Sequence, residues 1–408
     1  MDYFQRYLDY VGDTESPLIY HRWTSLSIIG ALLGRHTWIP MGHSVIYPNM
    51  YIQLMGAPGT RKSTAIGIGR RVLKSVGYHR FAPDRLSKEQ FLREMIPPEI
   101  ELSEEDADLS ILVTDKAGEI FVVAEEFGDF LGQGNMEFAT LLTKLWDNPA
   151  EYTHPKIHGK SVVVTKPTVN MLSGNTVQGL ALTIPPEGIG NGFMSRLLFV
   201  YAEETGHKIT FPAPPDECIG EELTLHLENI KEKVKGPMDK SKQATHLLDR
   251  IYREFMGMSD SRLKYYSTRR FTHLLKLCMI FAAASLRNEI TEHDVLRANT
   301  LLHFTELKMG KALGEFGRSK YSDITNIVTD ALANSDIPLT IQDLWKLVCK
   351  DLSKIAELGE MMRGLLAAEQ VQIMKIGGKQ GYMPLHTEIK EWDTSLLIPD
   401  FLTEKEIT

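Results

Sequence analysis

The chain has 408 residues, 43% hydrophobic and 24% charged, with a formal net charge of −8. That length suggests two or three domains with a core that needs no staple, and the acidic surface would repel a nucleic acid over most of its area. Salt confines electrostatic fields to about 8 Å, so a narrow basic pore or local patch remains compatible with the charge.

Cys218, Cys278 and Cys349 stand far apart and form no CxxC pair. Neither a zinc site nor a disulfide framework is expected; packed thiols in a reducing compartment are. No apolar stretch reaches the roughly 18–20 residues that cross a bilayer. The segment Ser25–Leu33 (SLSIIGALL) is too short and reads as a buried helix. The N-terminus, MDYFQRYLDYVGDTES, has no basic segment followed by an apolar run, so no signal peptide is expected. The sequence predicts a cytoplasmic protein without a membrane partner.

In chain order, Tyr3–Val11 and His21–Leu33 are predicted helices, and His36–Met41 a strand. Tyr47–Met55 is an apolar strand that runs into a glycine-rich loop, and Ser63–Val76 continues as a helix. Ile120–Ala124, Thr168–Leu172 and Leu197–Ala202 are further apolar strands, separated by helical patterns such as Phe138–Trp146. Apolar strands alternating with helices predict an open α/β parallel sheet with helices on both faces. Pro212, Pro214 and Pro215 then mark a linker. Beyond it, Cys218–Lys235, Gln243–Gly257, Arg269–Leu286 and Glu292–Leu307 make an all-α region.

Residues 320–385 read as a small module with a winged-helix pattern. Helices are predicted at Ser322–Asn334, from an N-cap at Thr340, and at Ser353–Glu369. A two-stranded wing turns at Gly377-Gly378. The last helix carries Lys354, Glu357, Glu360 and Arg363, a mixed face that favours a protein contact over DNA reading. Wing residues Lys375 and Lys379 could touch phosphate. The final stretch, 387–408, is an acidic tail expected to be loosely ordered.

The loop Gly56-Ala57-Pro58-Gly59-Thr60-Arg61-Lys62-Ser63-Thr64 carries the sharpest chemical signal. A strand feeding such a loop aims backbone N–H groups at one point, and the following helix adds its N-terminal partial charge. This predicts a P-loop for a nucleoside triphosphate, ATP first, with Lys62 on the β- and γ-phosphates and Ser63 on Mg²⁺. Arg61 stands where Gly is common; it can take helical angles, and its charge either nears the phosphates or points outward. Glu125-Glu126 follow the Ile120–Ala124 strand at the sheet's carboxyl edge. Glu125 is assigned to Mg²⁺ and Glu126 to polarising the attacking water. Asn175, ending the next strand, would orient that water. Arg196, after the Gly-rich GIGNGF, is a candidate arginine finger for a neighbouring subunit, or else a helix-terminal arginine in a surface salt bridge.

These residues together resemble the AAA+-like helicase ATPases of phages, plasmids and mobile elements, often joined to primase domains. YPNMYIQLMGAPGTRKST, IFVVAEEFGDFL, VNMLSGNT and GFMSRLLFVYAEE carry the resemblance, with SPLIYHRWTSLSIIGALLGR before them and YYSTRRFTHLLKLCMIFAA…ITEHDVLRA after. The last segment is similar to the family's α-helical lid. The resemblance covers roughly residues 15–305 and implies an AAA+-like P-loop NTPase fold; with the elements above, the chain divides into a leader over 1–48, an ATPase core over 49–205, a lid over 206–318 and a winged-helix-like domain over 319–386. It implies a ring-forming, hexameric DNA helicase or translocase in a bacterial host, with a primase or polymerase as a further partner. It also implies that Arg269 or Arg270 senses the nucleotide. His154, Lys156, His158 and Lys160 share one strand parity. They form either a pore hairpin holding single-stranded DNA or an exposed edge protected by lysine. A helicase loader or protein-remodelling switch, and the ATPase module of a defence system, are rival readings.

Overall fold

The computed structural model describes residues 2–12, 14–97, 117–155, 161–185, 192–258, 260–314, 320–333, 335, 337–367, 371–376, 379–384, 393–399, 401–403 and 406. The chain divides into two compact units, Met1–Phe316 with Thr394–Thr408, and Gly317–Asp393.

Unit 1 opens with helices Tyr3–Val11 and Leu18–Leu33. The second is buried on every side from Ile19 onward. It packs against the helix Lys62–Ser75, the helix Lys264–Ala284 and the central sheet, with Trp23, Leu26, Ile28 and Ile29 fully buried. Strands β1 (Thr37–Met41) and β2 (Ser44–Ile46) form an antiparallel hairpin. The strand expected from Tyr47 begins only at Tyr51, as β3 (Tyr51–Met55). Pro48 has no N–H to give to a ladder, and the amide of Met50 is bonded by the Asn170 side chain at 3.2 Å.

β4 (Glu119–Ala124), the outer hairpin of β5 (Glu151–His154) and β6 (Val162–Thr165), β7 (Thr168–Asn175) and β8 (Leu197–Tyr201) follow. The central sheet runs β4-β7-β3-β8 and every pair in it is parallel. Every residue of β3 and β7 is buried. Successive side chains point to opposite faces, so both faces of these strands are covered. The fold is therefore mixed α/β around a parallel sheet. β7 lies between β3 and β4, so the chain passes over it and returns to fill the gap. A single parallel bridge, Phe81 to Phe121, extends the sheet beyond β4.

Four helices, Glu217–Lys233, Lys242–Glu254, Lys264–Ala284 and Glu292–Leu313, complete the α-helical part. The last starts at a capping box between Thr291 and Asp294. The described residues of the tail correct the expectation of loose order. Leu396, Leu402 and Glu406 are buried in unit 1. Asn299 donates to the Leu396 carbonyl at 2.9 Å, and Arg22 forks onto the Glu406 carboxylate and lies over the Phe401 ring. Acidic composition hid the one buried acid that the leader helix needs.

Unit 2 contains helices Lys320–Ala333, Ile341–Val348 and Ile355–Ala367, then an antiparallel hairpin of Val371–Ile376 and Lys379–Pro384. Its own core gathers Ile324, Val328, Leu344, Leu358, Met362 and Val371. Thr340 caps the middle helix in a capping box with Asp343. The turn at Gly377-Gly378 and the side chains of Lys375 and Lys379 lie outside the described residues. Among the described residues, no helix is long and apolar enough to cross a membrane.

Arg22 and Glu406 are 5% and 0% exposed at their side chains. Removing one member leaves the other charge buried alone, which costs about 3–5 kcal/mol. Glu406→Ala should therefore lower unfolding free energy by that order in urea titration. A midpoint equal to wild type would show that the tail does not hold unit 1 together.

Candidate functional site

β3 ends at Met55, and the Gly56–Thr64 loop follows at the carboxyl edge of the sheet. Gly56 sits where three segments meet. A Cβ there would lie 2.6 Å from Tyr20 Oη and 2.7 Å from the Ala202 carbonyl, so only glycine fits. Tyr20 Oη donates to the carbonyls of Met55 and Ala202, at 2.6 and 3.2 Å, and so pins the loop's root to β8. Gly59 takes φ 94, a conformation natural to glycine.

The helix Lys62–Ser75 has no side-chain cap and no acid in its first turn. Its leading N–H groups are thus available to an anion, with the helix dipole behind them. Lys62 is buried and turned into the loop. Its Nζ donates to the carbonyls of Gly56 and Ala57 at 3.1 and 2.9 Å, and to Thr60 Oγ1 at 3.0 Å. Burial lowers its pKa below the ordinary lysine value, while the Glu126 carboxylate opposes that shift. Arg61 corrects the expectation of ordinary helical angles: it is left-handed, at φ 57 and ψ 33. Its side chain is exposed and paired with Glu15, so its charge turns away from Lys62. Ser63 and Thr64 are exposed at the helix start.

Register brings the other predicted groups to the same edge. Met55 pairs with Asn175, and Ala124 with Ser173. Continuing that ladder by two residues sets Glu126 level with Asn175 and Met55. Glu125 and Glu126 are both exposed. Glu126 and Asn175 line a cavity of about 310 Å³ together with Arg85, Asp129, Gln133 and Thr183. Glu125 and Glu126 line a second, of about 410 Å³, against Ile66 and Gly67 of the loop helix. Asn175 is 1% exposed; its Oδ1 accepts the Thr176 N–H at 2.8 Å, and its Nδ2 has no partner among the described residues. A buried amide donor without a partner costs about 1–3 kcal/mol, which a bound acceptor would recover.

Among the described residues, no group of three or more His, Cys, Asp or Glu could hold a metal. Ser63 and Glu125 suit Mg²⁺ nonetheless, because that ion keeps several waters and takes one or two carboxylates plus phosphate oxygens.

Arg196, Arg269 and Arg270 lie away from this edge. Arg196 immediately precedes β8, whose Leu197 pairs with Tyr51 at the start of β3. Five strand residues, at about 3.3 Å each, separate it from the loop by roughly 17 Å. The arginine expected either as a finger or in a surface salt bridge is buried here: its side chain is 5% exposed, bonded to Asp147 at 2.5 Å and to the Gly192 carbonyl at 2.8 Å. Arg269 also reaches Asp147, at 3.5 Å, and both guanidinium groups lie over Trp146, with Lys276 Nζ 4.1 Å from its ring centroid. Arg270, the other sensor candidate, points into the helical part. It is 1% exposed, bonded to Glu306 at 2.7 Å and Asn299 at 3.0 Å, and it locks two helices together. Of the predicted hairpin, β5 and β6 are present, but Lys156, His158 and Lys160 lie outside the described residues.

Sequence reasoning missed Tyr20, Glu15, Glu204 and Arg85. Glu204 stands so close to Gly59 that a Cβ would meet its Oε1 at 2.9 Å. Glu15, Gly59, Arg61, Glu204 and the segment 205–210 enclose a cavity of about 430 Å³ on the β8 side of the loop. No spacing rule links these residues to the loop, because they approach it through the fold. No protein-family model matches the chain, and neither does any curated protein.

The Arg270 geometry gives a direct test. Arg270→Met should lower thermal stability, because Glu306 loses its buried cation. Among the molecules that still fold, Mg·ATP affinity measured by calorimetry should stay within about twofold of wild type. A much larger fall in affinity than in stability would return Arg270 to the ligand site.

Proposed function

We propose that the chain binds and hydrolyses ATP, with Mg²⁺, at Gly56–Thr64. The observation that carries this reading is the meeting of Lys62, Glu126 and the Asn175 amide, which has no partner among the described residues, at one end of three adjacent strands. The loop amides and Lys62 hold the β- and γ-phosphates. Ser63 and Glu125 supply protein ligands to Mg²⁺, which offsets phosphate charge when bound. Glu126 accepts a proton from the attacking water, and Asn175 Nδ2 donates to the water or to the γ-phosphate.

Lys62→Ala should abolish hydrolysis and greatly weaken nucleotide affinity, since the phosphates lose their nearest cation. Glu126→Gln should still bind ATP while turnover falls by about 10²–10⁴-fold, the scale of a lost general base. Normal turnover in either folded variant would sink the corresponding assignment.

The wider reading is an oligomeric, hexameric-ring DNA helicase or translocase of phage or mobile-element replication, with single-stranded DNA in its channel and a primase or polymerase partner. It rests on the resemblance together with the strand order and the acidic pair. A protein-remodelling switch has one observation in its favour: Arg196 is held by Asp147 and Gly192, so it would have to leave both before reaching a neighbour. Lys156→Ala with Lys160→Ala should separate the two. A helicase variant should lose DNA-stimulated turnover but keep basal turnover, and its log affinity against log salt should flatten by roughly 0.7 per lost contact. Wild-type protein that is monomeric and indifferent to single-stranded DNA would leave the switch standing.

A further inference from the structure

Arg61 occupies the N-cap of the loop helix in the left-handed region, with φ 57 and ψ 33. That region is costly for any residue with a Cβ, because Cβ crowds the following carbonyl. Nothing inside the loop relieves the cost, since the Arg61 side chain makes no cap bond to the helix. It instead reaches the leader. Glu15 Oε2 accepts from Arg61 Nε and Nη2, at 2.6 Å each.

Glu15 is itself held from a third segment. Its Oε1 accepts the Ile209 N–H at 2.9 Å, and its backbone carbonyl accepts from Thr205 Oγ1 at 3.1 Å. The Ile209 amide, then Arg61, keep its carboxyl below the usual carboxylate range. An ordinary exposed ion pair contributes little because both side chains wander. Here one partner is fixed by backbone, and the other end of the pair is a strained residue of the loop.

We propose that Glu15 is a positioning residue for the triphosphate loop. Its two-pronged grip on Arg61 holds the left-handed turn that a glycine at this position would adopt unaided. The proposal rests on the ATP reading of the loop and adds a part drawn from outside it. It also accounts for an arginine at a position whose backbone suits glycine: the side chain is used as a tether to the leader, away from the phosphates.

The test is a double-mutant cycle in the full chain, with Mg·ATP as the probe and calorimetry as the readout. Glu15→Ala should weaken affinity about tenfold, the order set by a left-handed residue losing its support. In the Arg61→Gly background the same change should alter affinity less than twofold, because glycine needs no tether. Equal effects of Glu15→Ala in both backgrounds would overturn the proposal, as would no effect in the first.

Hydrogen exchange on the ligand-free protein supplies an arm that does not need ATP. The Thr60 and Ala65 amides, bonded to the Ala57 and Arg61 carbonyls at 3.4 Å, report the turn. They should exchange faster in Glu15→Ala, and at one rate in Arg61→Gly with or without Glu15→Ala. Unchanged exchange in Glu15→Ala would reject the tether even if ATP binds. A wild-type protein that binds no ATP but shows the exchange pattern would reject the ATP reading and keep the tether.

Discussion

The side chains of β3 and β7 have no outlet to solvent along their length, and that constraint organises unit 1. A sheet covered on both faces leaves polar chemistry only at strand ends. The carboxyl edge collects the Gly56–Thr64 loop, Glu125, Glu126 and Asn175. The amino edge collects Asn49, Asp147, Arg196 and Arg269. Opposite ends of the same short strands thus carry two polar clusters that do not touch.

The leader helix Leu18–Leu33 supports the first of these. It is buried on every side from Ile19 onward, and from there Tyr20 bonds the last carbonyl of β3 and the residue after β8. Two residues further on, Arg22 takes the Glu406 carboxylate from the tail. One helix therefore joins the root of the loop to the chain's last described residue. Burial makes each of these bonds consequential, because a broken one leaves a polar group without water.

The second cluster turns on Trp146. Its ring faces two guanidinium groups and the Lys276 ammonium, while Asp147 provides the nearby carboxylate. Burial drives the Lys276 pKa well below its ordinary value, and the neighbouring arginines add to that shift. Its Nζ is satisfied by the Asn49 carbonyl at 2.8 Å and by the Asn49 side chain. Cation–π contact and amide bonding let one indole and one asparagine hold charges that would otherwise repel.

Local pattern was enough to read the strands, because a fully buried parallel strand must be apolar throughout, and IFVVA and LLFVY have no other simple use. It was enough for the loop as well, since glycines between a strand and a helix are a backbone requirement written in residue type. The chain order of Lys62, Glu126 and Asn175 and their gathering at one sheet edge could be read, but not which strands bring them side by side. That depends on β7 being inserted between β3 and β4, a choice made by packing across the sheet. The partners of the arginines could not be read for the same reason. A guanidinium carries no mark of its partner, and Asp147, Glu306 and Glu15 lie 49, 36 and 46 positions from the arginines they hold. What the sequence by itself determined is where backbone must be apolar, bent or capped, because those demands act on neighbouring residues. Which charges meet, and whether they face solvent or a buried acid, only the tertiary structure decided, because long polar side chains are paired by distance in space and not by position along the chain.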